Sequence, residues 1–399
     1  MFSSLSVRTF RIYWLGLFVS FIGTWIQTVA QSWLIFQLTN SAFLLGLVGF
    51  LGSIPVFLLS LFGGVAADRI NKRNILILTQ VAFMLLAFIL AVLTQLNLIT
   101  PRQIMLIAVF NGIVMAFDAP SRQAVVAELV GKEHLLNAIA LNALAFNSSR
   151  VIGPALAGIL IASIGMSGCF YVNAVSFLAM LSALVLIRPN LRLKANNCGS
   201  AVGDLKEGLQ HIRKSRLILA LIMMVGVASL FGISYTILMP IFAHDILHVG
   251  VKGLGVLMSS AGAGAVIAAL ILARLGEFKR RGRLLISSSI VFSLSLICFG
   301  VSKTYLFSIV TIMFIGGSSV LAMALINTLL QTTASDEFRG RVMSVFMFTF
   351  AGFMPFGNLI AGTFSQTLGA GTTVMLSGVV CVVSFLAINA RFPEIRNLP

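Results

Sequence analysis

Gly64-Val-Ala-Ala-Asp68-Arg69-Ile-Asn71-Lys72-Arg73 separates two long apolar runs, 43–66 and 74–96, with one acid and three bases. Each run is long enough for a helix to cross about 30 Å of hydrocarbon, so the polar stretch reads as a loop at a membrane surface. Working outward, the same alternation recurs along the chain. Twelve apolar segments emerge: 12–38, 43–66, 74–96, 102–127, 138–164, 168–187, 217–243, 253–275, 284–302, 304–330, 341–367 and 372–390. The 399 residues are 59% hydrophobic and 10% charged, with mean hydropathy +1.05. Soluble globules carry about 25% charged residues, so that class is excluded and an all-α membrane protein is expected.

The polar breaks carry charge unevenly. The amino terminus, the even-numbered connections and the carboxyl terminus hold nearly all of the 27 Lys and Arg. The opposite connections have Arg102, Lys252 and Lys303, while Arg122 and Arg150 lie inside segments. By the positive-inside bias, both termini and the Gly64–Arg73 loop are expected on the cytoplasmic side. The net charge of +16 is therefore a topology signal rather than a nucleic-acid footprint. The first apolar run starts at Ile12 without a small-residue cleavage pattern and is expected to be a retained span. Cys169, Cys198, Cys298 and Cys381 show no paired spacing, which implies neither disulfide nor metal. There is no Walker motif and no hydrolytic constellation, so neither an enzyme nor a cofactor is expected.

The two halves of the chain resemble each other. Gly153-Pro-Ala-Leu-Ala-Gly158 matches Gly357-Asn-Leu-Ile-Ala-Gly362, with Glu133 and Glu337 in the same register before them. Leu45-Gly-Leu-Val48 likewise matches Leu254-Gly-Val-Leu257. The expected organisation is a six-span bundle over 1–187, a cytoplasmic linker over 188–216 and a second six-span bundle over 217–399. Parallel repeats of this kind build many secondary transporters, with a substrate site between the halves.

The Gly64–Arg73 loop resembles the signature loop of the major facilitator superfamily, Gly-x-x-x-Asp-Arg-x-Gly-Arg-Lys/Arg, with Asn71 where glycine is usual. Asn tolerates a left-handed turn, and the glycine at Gly64 is expected to let helices approach. The corresponding loop of the second half is degenerate, with Glu277 followed by Lys279, Arg280 and Arg281. The resemblance implies a conformational latch formed by Gly64, Asp68, Arg69, Lys72 and Arg73 with the start of the eleventh span near Arg341. Trp25-Ile-Gln27-Thr-Val-Ala-Gln31-Ser-Trp33, Asp118-Ala-Pro-Ser-Arg122 and Phe338-Arg-Gly-Arg-Val-Met343 are similar to the branch labelled transmembrane secretion effectors, which includes enterobactin and macrolide exporters. Gly153, Pro154 and Gly158 resemble the antiporter signature, Gly-Pro-x-x-Gly-Gly, with Ala157 in place of one glycine, and so imply export.

Of 11 acidic residues, only Asp118 lies well inside an apolar segment. A carboxylate in hydrocarbon costs at least about 2.5–3.5 kcal/mol, so it needs a partner or a task. Arg122, one helical turn away, and Arg150, on the next segment, are both within reach. Asp118 is therefore either a proton carrier tuned by an arginine or a permanently charged strut. The resemblance makes spans 1, 4, 7 and 10 cavity-lining, which nominates Gln27, Gln31, Asn111, Tyr235, Asn327 and Gln331 as substrate contacts. His244-Asp245-Ile-Leu-His248 has the i, i+4 spacing of a metal pair but reads as interfacial capping.

The expected function is efflux of a siderophore or an amphiphilic drug through a bacterial inner membrane by alternating access and proton antiport. The alternatives are a lipid or lysophospholipid flippase, a nutrient importer, or a non-transporting receptor or assembly factor. The expected partners are the lipid bilayer, a small-molecule substrate, protons and an outer-membrane or periplasmic export component. The protein is expected to be a monomer and to bind no nucleic acid.

Overall fold

A computed structural model describes residues 3–187, 212, 215–275 and 280–398. Nearly all of the expected linker, 188–216, lies outside these, as do Cys198, His211, Glu277 and Lys279. No strand occurs among the described residues, and eleven helices are long and apolar enough to cross a membrane. They are α1 (Arg8–Thr39), α2 (Ala42–Arg69), α3 (Lys72–Gln95), α4 (Pro101–Gly131), α5 (Glu133–Leu186), α6 (Arg216–Ile246), α7 (Gly250–Leu275), α8 (Arg281–Val301), α9 (Tyr305–Thr333), α10 (Arg339–Leu368) and α11 (Ala370–Arg391). Helices are what such a sequence must form in lipid, where each backbone amide needs a partner within its own segment. Side chains such as Leu78, 70% exposed, and Leu306, 73% exposed, suit lipid and not water.

Twelve expected segments thus become eleven helices, and the difference has a local cause. The segments 138–164 and 168–187 both fall on α5, whose 54 residues would span about 80 Å if straight. The backbone leaves helical geometry at Gly165, with φ 74° and ψ 178°. Gly131, with φ 68°, separates α4 from α5 in the same way. A side chain at either position would meet no steric neighbour, so the positive φ is what glycine serves there. The start of α4 is fixed by sequence too. Thr100 and Gln103 cap each other's backbone N–H groups, and Pro101 follows directly.

The chain divides into two compact units. One comprises Met1–Asn40, Leu51–Cys198 and Gly250–Ser259. Its core joins Phe10, Tyr13 and Leu17 of α1 to Leu76 of α3, Val125 and Val126 of α4, and Met180 and Leu184 of α5. Within it the first residues of α7 lie against α5. The Ser259 hydroxyl donates to the Val151 carbonyl at 2.7 Å, and a Cβ on Gly255 would sit 2.4 Å from the Pro154 oxygen and 3.2 Å from Gly158.

The other unit comprises Ser41–Phe50, Gly199–Val249 and Ser260–Pro399. There the first residues of α2 lie against α10. A Cβ on Gly46 would sit 2.6 Å from the Asn358 oxygen and 2.8 Å from the Gly362 Cα, and the Ser41 hydroxyl donates to Gln366 at 3.0 Å. Helix α6 is irregular, with widened turns at Ala228–Gly232 and Phe242–Ile246 around a tightened stretch at Ile233–Leu238. The chain end, Pro393–Asn397, folds back on α8. Ile395 is fully buried, and the Gly282 N–H donates to the Leu398 carbonyl at 3.2 Å.

Candidate functional site

Asp118 is fully buried in the first unit and is held from two helices. From α3, the Thr79 hydroxyl donates to Oδ1 at 2.7 Å and Gln80 Nε2 donates to the same oxygen at 2.9 Å. From its own helix, Arg122 Nε donates to Oδ2. The Thr79 hydroxyl also lies 3.0 Å from the Leu76 carbonyl, but its single proton goes to the nearer, charged acceptor. Of the two arginines considered, Arg122 is the partner. Its guanidinium also lies 5.3 Å from the centroid of the Phe21 ring on α1. Arg150 instead lies 6.0 Å from the Trp25 ring centroid, beside Phe146, which tilts against the same indole.

Thr79 and Gln80 stand out in sequence as a polar pair in the apolar run 74–96, yet composition alone does not link them to Asp118. The Asp118–Arg122 pair follows from i, i+4 spacing on one helix, whereas the α3 donors depend on how α3 packs against α4.

The Gly64–Arg73 loop is positioned differently from the expectation at two points. A Cβ on Gly64 would meet no atom within 4 Å, whereas Gly63 is the residue of close approach: a Cβ there would lie 2.0 Å from the Ala116 oxygen of α4. Asn71 has φ −59°, not a left-handed value, and its side chain caps α3 by accepting from the Arg73 N–H at 3.0 Å. It replaces glycine by capping the helix rather than by bending the chain. Lys72 is buried and pairs with Glu128 of α4 at 2.8 Å. Arg73 donates to the Leu184 carbonyl at 2.6 Å, closing the last turn of α5. Asp68 and Arg69 are exposed, and the Arg341 guanidinium lies 5.2 Å from the Phe338 ring centroid.

The nominated cavity residues have distinct surroundings. Gln27 is buried and accepts from Asn173 Nδ2 at 2.6 Å. Asn111 donates to the Ile107 carbonyl of its own helix at 2.9 Å. Tyr235 is buried at the tightened stretch of α6, edge-on to Phe299. Gln331 donates to Asn327 Oδ1 at 2.5 Å, and its own carbonyl accepts from Arg339. Gln31 is half-buried, and its side chain hydrogen-bonds no protein group among the described residues. Around Pro154, Gly153 packs on Trp25, where a Cβ would lie 2.4 Å from the indole-bearing Cβ, and Gly158 packs on the Lys252 backbone. His244 pairs with Asp245 at 2.6 Å on an exposed helix end, and His248 Nδ1 lies 2.9 Å from the His244 carbonyl.

Residues 1–398 match the family model described as transmembrane secretion effector. The staphyloferrin A transporter of Staphylococcus aureus is 28% identical over 389 residues, covering 94% of each chain. Macrolide efflux protein A of Streptococcus pyogenes is 22% identical over 98% of this chain and 97% of its own. The enterobactin exporter of Citrobacter koseri is 24% identical over 97% of this chain and 92% of its own. Among solved structures, a D-xylose–proton symporter superposes with a TM-score of 0.78 at 13% identity, covering 98% and 99% of the two chains; at that identity the likeness concerns the fold alone.

Proposed function

Because the chain belongs to the transmembrane secretion effector family of major facilitator transporters, we propose that it exports small molecules of the siderophore or amphiphilic drug class by proton antiport and alternating access. It is a multi-pass bacterial membrane protein and not an enzyme. The observation that carries the export reading is the full-length match to that family, with relatives named for a siderophore, a macrolide and enterobactin. We read the turn at Gly165 as dividing α5 into two bilayer-length pieces, for twelve spans in all. An even number of spans, with the basic connections inside, supports cytoplasmic termini.

Asp118 is the proposed proton carrier. Its burial and its three donors make it, among the described residues, the one acid set deep among the helices, and Arg122 holds a compensating charge there. Loss of that charge on protonation frees Arg122 and the α3 donors to rearrange, which is the kind of two-state element that transport needs. The Asp68 loop, with Arg341, acts as the latch that stabilises one state. The protein works as a monomer and passes cargo to a component beyond the inner membrane.

The test is transport in proteoliposomes under an imposed proton gradient, with staphyloferrin A, enterobactin and a macrolide as cargoes. Cargo should move opposite to protons, and Asp118→Asn should abolish the pH dependence while leaving a folded protein. Cargo movement along the proton gradient overturns export. Intact proton-driven transport by Asp118→Asn overturns the role of Asp118.

A further inference from the structure

Two arginines lie inside apolar segments, and only one of them is neutralised. Arg122 pairs with Asp118. Arg150 makes neither an ion pair nor a hydrogen bond with any described residue, and its guanidinium rests against the Trp25 ring, 6.0 Å from the centroid. That is the outer limit of a cation–π contact, which offsets little of what the charge loses on leaving water. The position is mid-span. Arg150 lies about 25 Å along α5 from Glu133 and about 22 Å before the turn at Gly165. Trp25 is likewise about 25 Å from Arg8 and about 21 Å from Thr39 on α1.

The helix repeat shows where this charge points. At about 100° per residue, Ile152 and Ile159 lie about 160° and about 180° round α5 from Arg150, and both are exposed, which suits lipid. On the side of Arg150 itself, one and two turns earlier, Phe146 and Ala143 are exposed as well. Protein flanks that side: Gly153 packs on Trp25 of α1, and the Val151 carbonyl accepts from Ser259 of α7. The cation therefore faces away from lipid, along an aromatic wall. Phe146 stands edge-on to Phe21 at 5.6 Å and tilts against Trp25 at 6.0 Å.

We propose that Arg150, Trp25 and Phe146 form a cargo-binding point of the first unit, and that the cargo it takes is an anion carrying a planar aromatic group. The planar guanidinium can receive a carboxylate through two parallel N–H donors, supplying the counter-charge that the protein withholds. The exposed Phe146 ring and the Trp25 indole offer faces and edges to an aryl ring beside it. The inference rests on the reading that the chain carries small-molecule cargo, and narrows that cargo to acids over amine-bearing amphiphiles, which the unpaired cation repels.

The test is equilibrium binding to the full-length protein in lipid nanodiscs, with the signal of empty discs subtracted. The probes are 2-naphthoate, the uncharged 2-naphthamide, the cationic 2-naphthylmethylammonium and acetate, which has the charge without the ring. Naphthoate should bind at least tenfold more tightly than each of the others, and Arg150→Gln should lose that tenfold while binding naphthamide as the parent does. Equal affinity of the parent for naphthoate and any other probe overturns the proposal without recourse to a variant, as does naphthoate binding unchanged in Arg150→Gln. The melting temperature separates a ligand site from a strut. Arg150→Gln should melt with the parent or above it, since it deletes an uncompensated charge; a lower melting temperature or a failure to fold assigns Arg150 to the scaffold and overturns the proposal. None of these measurements uses a gradient. Failure of export in proteoliposomes leaves a preference for naphthoate standing, and loss of that preference leaves export standing.

Discussion

Removing Asp118 alone should damage the protein more than removing both members of the Asp118–Arg122 pair, and the double variant should fall well short of the sum of the singles. Asp118→Ala leaves the Arg122 guanidinium with neither Nε nor Nη1 paired to protein, and it also orphans Gln80 Nε2. Only 14% of the Arg122 side chain is exposed, so solvent compensates little. Breaking a buried pair from one side costs about 3–5 kcal/mol, and Asp118→Ala belongs in that range. Arg122→Met is milder, about 2–3 kcal/mol, because Thr79 and Gln80 still donate to the carboxylate. The double variant Asp118→Ala/Arg122→Met removes both charges and leaves only the α3 donors unpaired, at about 1–3 kcal/mol in total. The three variants and the parent are compared by reversible chemical unfolding in one detergent, followed by circular dichroism. The pair is energetically coupled if the double variant is at least about 2 kcal/mol better than the sum of the singles. Additivity within about 0.5 kcal/mol refutes the reasoning, because independent sites behave that way.

Two further outcomes follow from contacts outside that centre. Gly63→Val drives a side chain into the α4 backbone at Ala116 and should cost about 1–3 kcal/mol, while Gly64→Val meets no neighbour and should stay within about 0.5 kcal/mol; the melting temperatures of the two variants check the contrast. Deleting residues 393–399 uncovers the contact of buried Ile395 with α8 and removes the acceptor of the Gly282 N–H, and should cost about 2 kcal/mol by the same unfolding assay; a truncated chain as stable as the parent rules out a structural role for the fold-back.

The parts legible in the sequence are those set by one dimension of the chain. Bilayer-length apolar runs gave the helices, and the i, i+4 spacing of Asp118 and Arg122 gave their pairing, because a helix repeats every 3.6 residues. What could not be read depends on rotation of one helix about its axis relative to another. Gly63 and Gly64 are chemically identical in sequence, yet only one faces Ala116. Arg150 has the depth to reach Asp118 but points to Trp25. Thr79 and Gln80 lie on a helix whose partner face is set by the whole core around Leu76 and Val125. Asn71 shows a third kind of difficulty: its residue type fits both a left-handed turn and a helix cap, and only its φ of −59° separates the two.

The internal repeat acquires a physical meaning from the same contacts. Gly46 and Gly255 correspond in the repeat, as do Gly158 and Gly362. In one unit Gly46 packs on Gly362, and in the other Gly255 packs on Gly158, so each glycine of the first pair meets the non-equivalent half's member of the second. Small residues at both places let backbones approach where lipid supplies no hydrophobic force for association. A duplicated sequence therefore supplies the same contact twice. Asp118 breaks that equality, since the second half places no acid deep within its apolar segments. Packing needs both copies because each contact uses one glycine from either half. The proposed proton site needs only one carboxylate, and a second buried one would add its desolvation cost without a second task. Symmetry in the scaffold and asymmetry in the charge thus have separate causes, which is why the repeat predicts the glycine contacts and not the site.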